Sequence, residues 1–389
     1  MASALPRLQW LATAFVWLGA CDGVNTGKDA GTVNVDAGET FDSGTTDAGQ
    51  QLDSGLEDAG PLDAGLFDAG PVDAGPVDAG KPIVNPVVPF DLPDPFVLRV
   101  GNQFHAYGTN ATVLGTRQNI PHITSNDLST WTARVDAMPV LGAWVDGTNA
   151  TVWAPSVAQV GPTSFVLYYA AKRTGTAGQQ CIGRAVATSP DGPFVDSFGA
   201  PLDCDTVSGP LYWTLDPSPF RDTDGGLYLL WRKDNGPPTN NFAASRRLAT
   251  SGTAFAAGST TSYILSKTAV WESPVLENPA MVAVGSPPTY YLFYSANAWE
   301  TGSYAIGYAT CTSPSGPCSK KTNFAGWFGS GLIRAGPGGQ DFFTDTAESL
   351  WMSMHAWSTP KIGYGSGGAR SLWLYRFGVD AGIPVLSAP

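Results

Sequence analysis

Five segments of this chain share one layout at intervals of 60 to 63 residues, and a repeat of that length restricts the fold more than any single motif. Prolines 95, 155, 217 and 279 stand 60, 62 and 62 residues apart, in Asp94-Pro-Phe-Val, Trp153-Ala-Pro-Ser-Val, Leu215-Asp-Pro-Ser-Pro-Phe and Glu277-Asn-Pro-Ala-Met-Val. Each is followed by an aromatic-rich apolar run that reads as a strand, and a fifth run continues the series. The last residues of the five runs, Tyr107, Tyr169, Trp231, Tyr294 and His355, follow one another at 62, 62, 63 and 61 residues. A third column places polar turns such as Ser189-Pro-Asp-Gly-Pro and Ser315-Gly-Pro after a further strand, where glycine accepts positive φ and proline presets the bend. No segment of the repeats carries a helical apolar stripe. Five units of short strands and turns predict an all-β fold, a five-bladed β-propeller whose blades surround a central channel.

The N-terminal part is of different material. Leu8 to Ala20 is apolar, follows Arg7 and is too short to span a bilayer; Leu18-Gly-Ala-Cys21 ends it in the pattern of a lipoprotein signal peptide. This predicts a signal over residues 1–20, a lipidated Cys21 and an exported, membrane-anchored protein, periplasmic or at the cell surface, or secreted if the anchor is not used. Residues 21–84, with Asp-Ala-Gly starting at 58, 63, 68, 73 and 78, have too few large apolar side chains to offset chain entropy and read as a disordered linker. The propeller then occupies 85–389.

The formal charge of −12 sits mostly in that linker, where 13 acidic residues face 2 basic ones. Residues 85–389 carry 20 acidic and 18 basic side chains, which gives no electrostatic case for nucleic acid and points to an uncharged substrate. A monomer is expected. Beyond Cys21, four cysteines fall into two sequence-local pairs, Cys181 with Cys204 and Cys311 with Cys318, and an exported chain favours disulfides in both. With three histidines at no ligand-like spacing and no Cys-x-x-Cys, a zinc site is not expected.

Acids recur at the blade starts: Asp94, Asp216 and Glu277. Three carboxylates at one end of a propeller channel, among tryptophan and tyrosine, can do acid/base work on a sugar: one protonates a departing oxygen, one deprotonates water, and a third raises the acid's pKa by like-charge repulsion. Glu272, in Trp271-Glu-Ser-Pro, is a rival to Glu277 that fits the repeat frame less well. Trp153, Tyr107, Tyr294 and His355 are the candidates to touch sugar, although in a propeller an aromatic such as Trp153 or Trp271 more commonly fills between blades.

These segments, together with Gly336-Pro-Gly and Met354-His-Ala-Trp, resemble glycoside hydrolase family 43 in order from about residue 88 to the C-terminus. The resemblance implies inverting hydrolysis of arabinose- or xylose-containing glycans, in the manner of an α-L-arabinofuranosidase or β-xylosidase, with no required cofactor. It further implies Asp94 as general base, Glu277 as general acid and Asp216 as the residue that modulates the acid's pKa. His355 matches a channel histidine that in some members holds calcium through water, so a structural calcium ion is the one metal the resemblance admits. Where many members have histidine after Gly-Pro-Gly, this chain has Gly339. An endo-acting arabinanase and a non-catalytic sugar-binding propeller are the alternatives.

Overall fold

A computed structural model describes residues 81–389, apart from 114, 149–150, 207–211 and 235–240. The signal peptide, Cys21 and nearly all of the linker lie outside the described residues.

The five repeats are five antiparallel sheets. Blade I is built from Phe96–Val100, Gln103–Tyr107, Pro121–Ser125 and Val135–Asp136, with a small hairpin, Ala111–Val113 and Thr116–Gln118, inserted after its second strand. Blade II has three strands, Val152–Gly161, Ser164–Lys172 and Gln180–Ala187. Blades III, IV and V have four each and begin at Thr214–Arg221, Leu276–Val284 and Arg334–Thr344. Every connection within a blade is a meander, as short loops between antiparallel neighbours dictate.

The solid apolar runs are explained by what covers them. A second strand with a blade on each side buries both faces, so it shows no polar alternation. In Ser164–Lys172, Phe165, Leu167 and Tyr169 pack toward blade I with Phe96 and Trp144, whereas Val166 and Tyr168 pack toward blade III with Leu229 and Trp231. The same division gives five apolar clusters, one per interface between neighbouring blades. The ring closes where the segment entering blade I crosses blade V: the Val87 amide donates to Leu372 O at 2.9 Å, and Asn85 exchanges hydrogen bonds with the Leu374 backbone. Val88 and Leu92 fill the interface beneath.

Both cysteine pairs are disulfides. Cys181–Cys204 ties the third strand of blade II to the segment that runs where a fourth strand would, and Cys311–Cys318 joins the third and outermost strands of blade IV at directly opposed positions. Both brace blade edges, where pairing is sparse.

Candidate active site

The repeat column at the blade starts has a specific backbone form. In blades II, III, IV and V the innermost strand holds one residue more than its partner between Trp153 and Ser156, Leu215 and Ser218, Glu277 and Ala280, and Gly338 and Asp341; blade V has a further such step between Ala335 and Gly338. Such β-bulges bend a strand and re-aim a side chain. At the corresponding point in each blade one residue has positive φ: Asp94 (51°), Ala154 (44°), Asp216 (57°), Asn278 (47°) and Gly339 (59°). Outside glycine this costs on the order of 1–3 kcal/mol per residue, which the surrounding sheet must offset. These five residues ring a narrow central channel lined further by Ser156, Ser218 and Gln340. Glu277 therefore stands one residue before the ring position, which Asn278 occupies.

The three expected acids meet through shared partners. Asp94 accepts a hydrogen bond from Thr109 Oγ1 at 2.6 Å and faces Asn278 Nδ2 at 3.4 Å. Asp216 accepts the Asn278 backbone N–H at 3.0 Å, so it anchors the peptide that follows Glu277. Glu277 accepts from Tyr304 OH at 2.7 Å and from Arg232 Nη1 at 2.7 Å, while Arg232 is held by both oxygens of Asp234 at 2.9 and 2.8 Å. One guanidinium thus serves a group of carboxylates larger than it can neutralise, in a buried setting, and retained protons are the consequence. Burial raises Glu277 above the usual carboxylate range, against the pull of Arg232 and Tyr304. Burial, then the nearby Glu277 and Asp94, push Asp216 far up, with Arg232 opposing.

A stability effect follows. Because Asp216 holds its proton more tightly folded than unfolded, the stabilisation from that proton is complete below the unfolded pKa and is lost as pH rises through the folded one. Asp216→Asn, which mimics the protonated form, is expected to raise Tm by a few degrees in neutral and alkaline buffer, with the gap to wild type closing on acidification. Thermal melts across pH check this; a variant destabilised at every pH would contradict it.

A model of glycosyl hydrolases family 43 matches residues 83–382. The chain belongs to that family. An arabinoxylan arabinofuranohydrolase of Bacillus subtilis is 28% identical over 246 residues, 57% of this chain and 45% of that enzyme. A β-D-galactofuranosidase of Aspergillus niger is 24% identical over 282 residues, 70% of this chain and 75% of its own length. This family 43 chain thus spans about half the length of the first relative and three quarters of the second. Among solved structures, a thermostable family-43 glycoside hydrolase superposes with a TM-score of 0.66 at 23% identity, over 79% of this chain and 96% of that one. At that identity the superposition speaks for the five-bladed fold.

Several side chains of this family 43 propeller differ from their expected places. Tyr107 and Tyr294 are fully buried, and the expectation that they touch sugar is corrected. Tyr107 donates to Pro190 O, and Tyr294 donates to Glu272; both point into an interface between blades, because the runs they end are covered on both sides. Glu272 is itself saturated by Lys320, Tyr294 and the amides of Thr268 and Ala269, which leaves it a structural role. Trp153 is half-buried, edge-on to Trp213 at 6.0 Å, and Arg232 lies over the Trp213 ring.

The channel histidine is set by its neighbours. His355 is buried, stacks parallel to Tyr304 at 6.0 Å, and accepts the Asp94 backbone N–H on Nδ1 at 3.0 Å. A neutral imidazole that accepts on Nδ1 carries its proton on Nε2. That Nε2–H finds no partner among the described residues. Calcium asks for oxygen ligands, and an N–H donor is not one, so His355 in this tautomer does not fit a direct calcium ligand and no chemical step is routed through an ion. A Cβ at Gly339 would lie 2.6 Å from His355 Nδ1 and 2.9 Å from Asp94 Oδ1, which explains why this chain has no side chain there.

Sequence reasoning missed Arg232, Asp234, Tyr304, Thr109 and Asn278. It also missed Asp341, a channel carboxyl pushed up to about 7 by burial, with Ser218 Oγ donating to it at 2.9 Å. Arg232 carried a readable signal, a charge directly after the apolar run Leu227–Trp231.

Proposed function

We propose that this chain is an inverting glycoside hydrolase acting on arabinose- or xylose-containing oligo- and polysaccharides. The observation that carries the reading is the linkage of Asp94, Asp216 and Glu277 through Asn278 and Tyr304 beside the central channel, with Glu277 held by Arg232 and Tyr304. Asp94 takes a proton from water as the hydroxyl attacks the anomeric carbon. The glycosidic C–O bond breaks, and its oxygen takes the proton of Glu277. Burial and the nearby Asp94 keep the proton on Glu277, and Asp216 fixes the following peptide. Trp153 and Trp213 offer partly exposed aromatic faces to a sugar ring. The pentose preference is supported by the likeness to the B. subtilis arabinoxylan arabinofuranohydrolase, and an uncharged substrate by the near-neutral composition of residues 85–389.

We infer also that the protein is exported and anchored through Cys21, a reading supported by two disulfides, which oxidising compartments favour. Aryl α-L-arabinofuranoside, β-D-xyloside and β-D-galactofuranoside, with arabinan and arabinoxylan, form the test panel. Release of a pentose from at least one is the expected result. Glycan binding without release from any would favour a sugar-binding propeller instead.

A further inference from the structure

Two of the three histidines, 17 residues apart in the sequence, meet in blade I. In the pairing of Gln103–Tyr107 with Pro121–Ser125, His105 opposes Thr124 and His122 opposes Tyr107, so the histidines are diagonal neighbours. Both are 1% exposed. Their rings stack at 5.4 Å with 6° between planes, and Tyr107 stacks on His122 at 4.8 Å. The third participant comes from blade II. Asp191 lies in the turn after Gln180–Ala187, and that turn is tied to blade I on both sides: Tyr107 OH donates to Pro190 O at 2.5 Å, and the Phe194 amide donates to Ala137 O at 2.8 Å. Ser189 Oγ donates to Asp191 Oδ2, which leaves Oδ1 turned to the histidines.

The three facing atoms are His105 Nδ1, His122 Nε2 and Asp191 Oδ1. They stand 3.2, 3.3 and 3.9 Å apart. Three ligands at zinc-like bond lengths of about 2.0–2.2 Å on tetrahedral corners are separated by roughly 3.3–3.6 Å, so the triangle has the size of one face of a zinc tetrahedron. A hydrogen-bonded reading accounts for the cluster less well. The single proton on His105 Nδ1 cannot be given in full to both His122 Nε2 and Asp191 Oδ1. Asp191 keeps 57% of its side-chain surface, so a fourth corner is open to water.

We propose that His105, His122 and Asp191 form a site for a divalent transition cation, zinc by the chemistry of its ligands, which fastens blade II to blade I apart from the carboxylate ring. Two imidazoles and one carboxylate suit zinc, cobalt or copper better than calcium or magnesium, which prefer oxygen alone. The spacing of the histidines in sequence hid the pair, because adjacent strands rather than one helix or loop bring them together.

The test is equilibrium binding of Zn2+ to the untagged, chelator-stripped full chain, beside Asp191→Ala and His122→Ala, with the visible spectrum of the Co2+-loaded protein. Asp191 is largely exposed, so its variant keeps the fold even if the buried histidine variant loses it. One equivalent of zinc, bound at least about tenfold more weakly by Asp191→Ala, with tetrahedral cobalt absorption lost in both variants, is expected. Zinc bound equally by wild type and Asp191→Ala would place it elsewhere, and wild type that takes up none would remove the site; either result overturns the proposal.

Discussion

Asp94→Asn is expected to lower kcat/KM by roughly 10²–10⁴-fold on activated aryl glycosides and natural glycans alike. Attack by water needs a base whatever group departs, and an amide cannot take the proton. The replacement is nearly isosteric, and an Asn oxygen can still accept from Thr109 Oγ1, so the melting temperature stays close to wild type. A loss confined to substrates with poor leaving groups would instead make Asp94 the proton donor and exchange the two roles.

Glu277→Gln separates substrates where Asp94→Asn does not. An aryl oxygen of low basicity leaves without help, whereas a sugar alkoxide needs a proton, so a loss of roughly 10²–10⁴-fold is expected on arabinan or arabinoxylan and a small one on activated aryl glycosides. The pH profile gives a second reading. In wild type kcat/KM falls as pH rises through the Glu277 pKa, which burial holds above the usual carboxylate range, and the variant is expected to lack that alkaline limb. Arg232 loses one partner but keeps both oxygens of Asp234, so the site is not left with an unpaired buried cation. An unchanged alkaline limb would move the acid role to another channel carboxyl whose proton affinity is raised, Asp216 or Asp341.

The repeat made the architecture legible because each blade must restate the same bulge, strand and turn. Asp94 and Asp216 were readable for that reason: each is the positive-φ residue before a proline, in a column that Ala154, Asn278 and Gly339 complete. Glu277 lies one place off the column, and only the backbone shows that the bulge lets adjacent residues 277 and 278 both serve the site. Tyr107 and Tyr294 were misread because a strand covered on both faces has no alternation to show which way a ring points. Arg232 and Tyr304 act on Glu277 from positions 45 and 27 residues away in sequence, and no local pattern encodes that meeting. That blade II shows no regular fourth strand among the described residues was also unreadable, since isolated bridges and the Cys181–Cys204 disulfide do its work.

The anomeric configuration of the first sugar released by the wild-type protein, followed by proton NMR before mutarotation, tests the account most directly. A base acting through water and a separate acid predict a product of opposite configuration to the substrate. A first product that keeps the substrate's configuration would mean that a carboxylate attacks the sugar itself, and would contradict the roles given to Asp94 and Glu277.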